Sequence, residues 1–403
     1  MSKILKNNQI GEILLFIIFP LFSFFYSIKR SIMYYPFSQN ILFLFMGLCS
    51  LLWPPYGDLY RHNMVYFEFQ EMTYSEFIGF LYYHYDFLFY LISFFFAKIG
   101  IPFEIIRFIF VFLSYKIIFF VINNYINKFS NCYKYVFFTV FFSVPFFAIT
   151  LGIRFEFASF VMLLAIYSLL VRNKKIGYLY IIVSILIHYT MVMPTLLLIP
   201  ILLNIKFTKK RMLFVLFLFY LFFNVNLIEK IIYIIPLPDF LTKSIIAYTS
   251  GYWGGEFLED HSFKYLLSFH LKVILGYFIL SFLLFKKNMN NLVYYSYLLL
   301  FLLVFCNTVS VTMFFRFFSF SIPVFLLAFF SSINRVSILE LRVLCLVSCI
   351  GFLSQIYTNR REFEISREYK LLYPTPYIIT NVYQKKWLQE NIYEDGSAKY
   401  LVY

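Results

Sequence analysis

Apolar runs of bilayer length follow one another from residue 10 to residue 357 and leave this chain little choice of fold. They lie at about 10–27, 37–53, 86–101, 103–122, 133–152, 156–171, 176–203, 212–236, 265–285, 292–312, 313–333 and 340–357. A transmembrane helix takes about 20 mostly apolar residues. Backbone inside lipid must satisfy its own polar groups, which rules out open sheets there. The expected fold class is all-α: a polytopic integral membrane bundle of roughly ten to twelve transmembrane helices. Charge agrees with this. Charged residues make up 13% of the chain, against about 25% in an average soluble domain, too few to cover a water-soluble particle. Residues 1–357 form the expected membrane domain and 358–403 a polar C-terminal tail.

The net charge of +14 does not point to nucleic acid. Much of the excess sits in short clusters between apolar runs: Lys29 and Arg30, Arg172 with Lys174 and Lys175, Lys206 with Lys209 to Arg211, and Lys286 with Lys287. The positive-inside rule accounts for them as cytoplasmic turns. Two longer connections read as extracytoplasmic. Residues 54–85 carry Asp58, Glu68, Glu71 and Glu76 against Arg61, and 236–264 carry Asp239, Glu256, Glu259 and Asp260 against Lys243 and Lys264. The tail has seven Lys and Arg against six Asp and Glu, so charge does not place it. The 58 Phe and 36 Tyr combine an interfacial belt with the bias of AT-rich coding, and do not make a binding groove by themselves.

The start, Met1 to Lys6 followed by apolar residues from Ile10, lacks a small-residue cleavage site and reads as an uncleaved first helix. Placing both long connections outside and every basic cluster inside requires one run not to cross. The suspects are the pair 86–101 and 103–122, and the run 176–203. The latter has 28 residues, interrupted by His188, Pro194 and Pro200. As one helix it would be roughly 42 Å long against a core of about 30 Å. It is either strongly tilted or two short segments meeting near His188. The cysteines, Cys49, Cys132, Cys306, Cys345 and Cys349, show neither a disulfide framework nor metal-ligand spacing.

Ionisable groups inside membrane helices cost about 2.5–3.5 kcal/mol each at a helix centre, so those that occur are functional candidates. Asp58, Arg61 and His62 follow two prolines and a glycine that stop a helix; the alternative is an ordinary polar loop with an Asp58–Arg61 pair. Arg154 and Glu156 sit between two apolar runs with almost no loop. A guanidinium presents a planar fork suited to phosphate oxygens, though an arginine there can also simply snorkel. His188 lies inside the overlong run, as a proton acceptor or a packing residue. Arg316, among phenylalanines, must find an anion, a carbonyl or water, and a structural ion pair would serve. Glu256, Glu259, Asp260 and His261 read as a solvated loop before a metal site. Asp-x-Asp, P-loop, GxSxG and HExxH patterns do not occur.

In order along the chain stand Tyr56-Gly-Asp-Leu-Tyr-Arg-His62 after an early helix and Gly152-Ile-Arg154 opening another. The basic turn Arg172 to Lys175, His188 with Thr190, and Arg316 followed by aromatics and Pro323 come next. In these stretches the chain resembles the bacterial polysaccharide polymerases of the Wzy type, especially their EpsG-like branch, over roughly residues 40–330. Phe155 stands where many relatives carry Gln, so no role is given to the side chain after Arg154. The resemblance implies polymerisation of undecaprenyl-diphosphate-linked oligosaccharide repeats into O-antigen or a related surface polysaccharide. The transfer would take place at the outer face of a bacterial inner membrane. It implies Arg154, Arg316 and Arg61 as diphosphate ligands and His188, Asp58 or Glu156 as the base, with no nucleotide, metal or other cofactor. The implied partners are the lipid-linked oligosaccharides, membrane lipids and a chain-length regulator protein, and no nucleic acid. A flippase or other membrane transporter is the chief alternative, and a membrane acyltransferase the third.

Overall fold

In the computed structural model every regular secondary-structure element among the described residues is a helix. The structure describes residues 2–125, 132–205, 290–332, 337–360 and 366–397, with isolated positions at 208, 210–211, 214–215, 218, 246, 363 and 399. The connection 236–264 apart from Ile246, its acidic cluster, nearly all of the run 212–236, the whole of the run 265–285, and Lys206, Lys209, Lys286 and Lys287 lie outside the described residues.

The chain opens with α1 (Ser2–Ile18) and α2 (Pro20–Ile32). In one straight helix Glu12 and Arg30 would lie roughly 27 Å apart. Instead their side chains meet at 2.9 Å, and Ser38 donates to the same buried carboxylate at 2.7 Å. The run 10–27, expected as a single first helix, therefore folds back on itself at Phe19–Pro20. Proline takes the first position of α2, where a missing N–H costs nothing.

Next come α3 (Pro36–Ser50), α4 (Asp58–Glu71), α5 (Tyr74–Tyr82), α6 (Phe87–Lys98), α7 (Phe103–Asn123), α8 (Tyr133–Ser143) and α9 (Phe146–Leu151). They are followed by α10 (Ile153–Ile166), α11 (Ile176–Ile187), α12 (Val192–Leu196) and α13 (Ile199–Leu202). The last long helices are α14 (Asn291–Val309), α15 (Val311–Ser332) and α16 (Ile338–Thr358), and the tail adds α17 (Thr375–Thr380) and α18 (Lys385–Asn391). Four helices among the described residues are long and apolar enough to cross a membrane: Phe103–Asn123, Ile153–Val171, Thr312–Ser331 and Ile338–Thr358. Of these, Ile153–Val171 is 83% buried and Ile338–Thr358 28%, so α10 is the axis of the bundle and α16 part of its rim. Against α10 pack α7, α11 and α15; α14 pairs with α15, and α8 with α16. Of the suspect pair, α6 has 12 residues and is roughly 18 Å long, too short to cross a core of about 30 Å alone.

The overlong run 176–203 resolves into two short segments. Helix α11 stops at Ile187, His188 is extended (φ −149°, ψ 114°), and a 3₁₀ turn over Tyr189–Met191 leads into α12. Broken backbone at membrane depth survives where protein satisfies its polar groups. Here the Tyr189 N–H donates to Asp86 Oδ1 at 3.0 Å and the Thr190 N–H to His188 Nδ1 at 3.3 Å.

The two ends of the bundle differ in chemistry. At one, Arg172 donates to Tyr167 at 2.6 Å and to Asn124, and Asn123 donates to Gln39 at 3.2 Å, tying the basic turn to α7 and α3. At the other end of α10 stand Arg154 and the starts of α4 and α6. The tail, which charge could not place, docks on this second end. Arg367 N–H and Tyr383 Oη donate to Leu52 O at 2.9 and 2.7 Å, and Gly57 N–H donates to Gly396 O at 2.8 Å. Gly57 (φ +53°) and Gly396 (φ +89°) hold left-handed conformations, and a Cβ on Gly396 would strike the Gly57 backbone. Glycine is thus required where the two segments touch.

The fold makes a topological prediction. In a background without the native cysteines, a membrane-impermeant maleimide should label Ser75→Cys and Ser397→Cys from one side of the membrane and Lys174→Cys from the other. Ser397→Cys labelling together with Lys174→Cys would refute the docking of the tail.

Candidate functional site

Three helix starts converge on one side chain. Arg154 lies in the first turn of α10, just beyond Gly152, where α9 ends and the chain re-enters a helix. Its Nη1 donates to Asp86 Oδ2 at 2.5 Å, and its Nη2 to Asp58 Oδ2 at 2.9 Å. Asp58 is the first residue of α4. Asp86 occupies the cap position of α6 without capping it: its oxygens go to Arg154 and to the Tyr189 N–H. A carboxylate at such a position ordinarily accepts from its own helix, so its turn toward α10 and the α11 break marks another use.

A cavity of about 200 Å³ opens at this point, lined by Asp58, His62, Gly152, Arg154, Glu156, His188 and Arg316 among others. It lies at the N-terminus of α10, whose free N–H groups and dipole favour an anion. Five of the six candidate residues from the sequence, Asp58, Arg154, Glu156, His188 and Arg316, line it together although they span 258 positions of chain. Arg61 does not. It points into a second, larger cavity on the adjoining face of α4, roughly a quarter-turn round the helix from Asp58 and His62. The structure thus brings Arg154 and Arg316 together but not Arg61. Residue 61 follows 58 by three positions, which lets the two share a helix side in outline while their tips diverge.

Each wall has a definite support. Glu156 is 4% exposed and accepts from Ser319 Oγ of α15 at 3.0 Å. Arg316, one turn before Ser319, is close enough to Asp86, Glu156 and His188 to interact electrostatically. His188 Nδ1 faces the Thr190 N–H and hydroxyl at 3.3 and 3.0 Å and lies 3.9 Å from Asp86 Oδ1. A ring nitrogen that accepts a backbone N–H carries no proton, so in the neutral ring the proton sits on Nε2. His62 Nε2 lies 3.3 Å from Asp58 Oδ2, out of line for a good hydrogen bond. Burial alone would raise the Asp58 carboxyl, but His62 alongside and the Arg154 charge more than reverse it and hold the group well below the usual carboxylate range. Among the described residues no cluster of three or more His, Cys, Asp or Glu side chains is placed to hold a metal ion.

Two groups at the site were given no role from the sequence. His62 belonged to a motif already singled out, on the same face as Asp58 at a spacing of four. Asp86 was visible as the acid opening an apolar run, the same costly-charge signal that picked out Arg154.

The arrangement can hold an anion between two guanidinium groups from different helices, with carboxylates and imidazoles at its edge. Comparison with known proteins gives the context. The model of the EpsG family matches residues 32–371. No curated protein matches the chain, and no solved structure does. The matched stretch takes in well over half of the chain and every residue of the Arg154 cavity, and the protein belongs to the EpsG family.

Proposed function

We propose that this membrane protein polymerises undecaprenyl-diphosphate-linked oligosaccharide repeats into a surface polysaccharide, by glycosyl transfer at the outer face of the cytoplasmic membrane. The observation that carries the reading is the cavity where Arg154 and Arg316, from α10 and α15, meet at a helix N-terminus. The basic turn lies at the opposite end of α10, as an outward-facing site requires. Family membership supports the same class of reaction.

In the reaction, a hydroxyl oxygen of the acceptor sugar attacks the anomeric carbon that bears the diphosphate. The bond from that carbon to the phosphate oxygen breaks with its electron pair left on the oxygen. Arg154, Arg316 and the α10 N-terminus stabilise that charge. The Arg154 fork is shared between Asp58 and Asp86, so an arriving phosphate exchanges with one of them. Asp58 is the one that yields, because its side chain is 41% exposed and that of Asp86 6%. Once released, Asp58 loses the positive neighbour that holds its proton affinity down and becomes a better base for the acceptor hydroxyl. His188, with its proton on Nε2, serves as a donor to a substrate oxygen. Glu156 holds its place through Ser319.

Three outcomes follow. Deleting the protein should leave single lipid-linked repeats, still exported and ligated, without a long polysaccharide ladder; disappearance of the single surface repeat as well would replace this reading with a flippase. Asp58→Asn should slow chain extension by roughly 10²–10⁴-fold, the usual contribution of a general base, at matched membrane abundance. Arg316→Lys keeps the charge but loses the planar fork. Losing one charge-assisted hydrogen bond of about 1.5–3 kcal/mol should slow extension roughly ten- to a hundred-fold, with Lys174→Arg as the neutral control. Wild-type rates for Arg316→Lys would remove Arg316 from the diphosphate site.

A further inference from the structure

The second cavity is larger than the first and has a different character. It encloses about 860 Å³ between the outer face of α4 and the docked tail, within the range of about 300–1,000 Å³ typical of small-ligand pockets. From α4 come Tyr60, Arg61, Met64 and Val65, and from the tail Gln389, Ile392, Tyr393, Glu394 and Lys399. Tyr60 and Ile392 are buried in its wall, while Tyr393 is 45% exposed. We propose that this groove is a glycan-binding subsite, which holds the sugars of a substrate while its diphosphate lies in the Arg154 cavity. The proposal rests on the polymerase reading and assigns the carbohydrate part of the same substrate.

Three observations carry it. The first is the lining. Tyrosine rings offer flat apolar faces with a polar edge, suited to the C–H face of a pyranose. The guanidinium, amide, carboxylate and ammonium groups around them supply both donors and acceptors for hydroxyl groups. Lys399 Nζ is already oriented, donating to Gln389 O at 2.8 Å and lying 5.6 Å from the Tyr393 ring centre.

The second is charge. Arg61 of α4 and Lys399 of the tail line the groove together with Glu394, and Asp395 is close enough to Arg61 to interact electrostatically. Charges of both signs are therefore present. A second diphosphate would meet a carboxylate alongside the two cations, and a lipid chain would bury charged side chains at a cost. A neutral ligand rich in hydroxyl groups meets neither penalty.

The third is position. Tyr60 and Arg61 lie between Asp58 and His62 along α4, so the groove and the reaction cavity share one helix as a common wall. A sugar chain attached at the reaction centre would therefore have the groove on the neighbouring face of the same helix. The reaction cavity lies wholly within the stretch matched by the family model, whereas the tail wall of the groove, from Gln389 onward, lies beyond it.

The test uses the full-length protein in lipid nanodiscs. The probe is the repeat-unit oligosaccharide released by mild acid from the host's own lipid-linked pool, free of lipid and phosphate. Binding is followed by saturation-transfer NMR and titration calorimetry. The wild type should bind this probe. Tyr393→Ala and Arg61→Ala should each weaken binding about three- to tenfold, the effect of losing a hydrogen bond or a comparable contact. Arg316→Lys should leave it unchanged, and so should Lys386→Ala, which lies on the exposed face of α18. In cells, the two groove variants should shift the polysaccharide to shorter chains at unchanged protein abundance and melting temperature. Failure of the wild type to bind the probe, indifference of binding to both groove variants, or displacement of the probe by inorganic pyrophosphate would each overturn the subsite. If the groove variants weaken binding as expected while deletion of the protein leaves the polymer ladder intact, the subsite stands and the polymerase reading falls.

Discussion

Everything near the candidate site depends on how one guanidinium is shared. Arg154 places its two terminal nitrogens on two different carboxylates, Asp58 and Asp86, which begin two different helices. An arginine so deep in an apolar bundle is tolerated because its charge is neutralised and its donors are used. Removing one partner from a buried pair commonly costs about 3–5 kcal/mol, so the distances among α4, α6 and α10 are set by the planar fork as much as by packing. The same carboxylate of Asp86 also receives the Tyr189 N–H, which brings the break after α11 into the arrangement. Fold and site here are one constraint.

The class of protein was legible in the sequence because the bilayer demands something simple, long apolar runs, and local composition records it. The break near His188 was legible too, since a run roughly 42 Å long cannot stand upright in a core of about 30 Å. The fold-back at Phe19–Pro20 was hidden for the opposite reason. Apolar residues on both sides of the turn suit one helix or two, and the Glu12–Arg30 pair that reveals the answer is a tertiary contact. Most of the cavity could be named in advance, because a charge stranded among phenylalanines advertises its cost. That Arg61 lines the neighbouring cavity was not legible, because spacing along a helix gives a side chain's azimuth only to within a neighbouring face. The tail was illegible altogether: its charges cancel, and it is held largely by backbone groups of Leu52, Gly57 and Gly396, which leave no signature beyond two glycines.

Helix α4 divides the work between two faces. On one, Asp58 and His62 attend the reaction cavity; on the next, Tyr60, Arg61, Met64 and Val65 form half of the groove. Because the helix lies outside the long membrane-spanning segments, the proposed reaction would bring sugars to both faces from the aqueous side while the lipid carrier stays in the bilayer. A polymerising enzyme needs this separation. The diphosphate chemistry is the same at each cycle, but the sugars presented to it must be recognised again every time.

Gly57 and Gly396 lie 339 residues apart in the chain and meet in the finished protein. A ribosome adding roughly 5–20 residues per second would make the second about 20 to 70 seconds after the first. Throughout that interval the start of α4 stands without the segment that docks on it. Assembly of the bundle and completion of the site are thus separate events in time. The groove beside α4 gains its second wall only after residue 399 has been made.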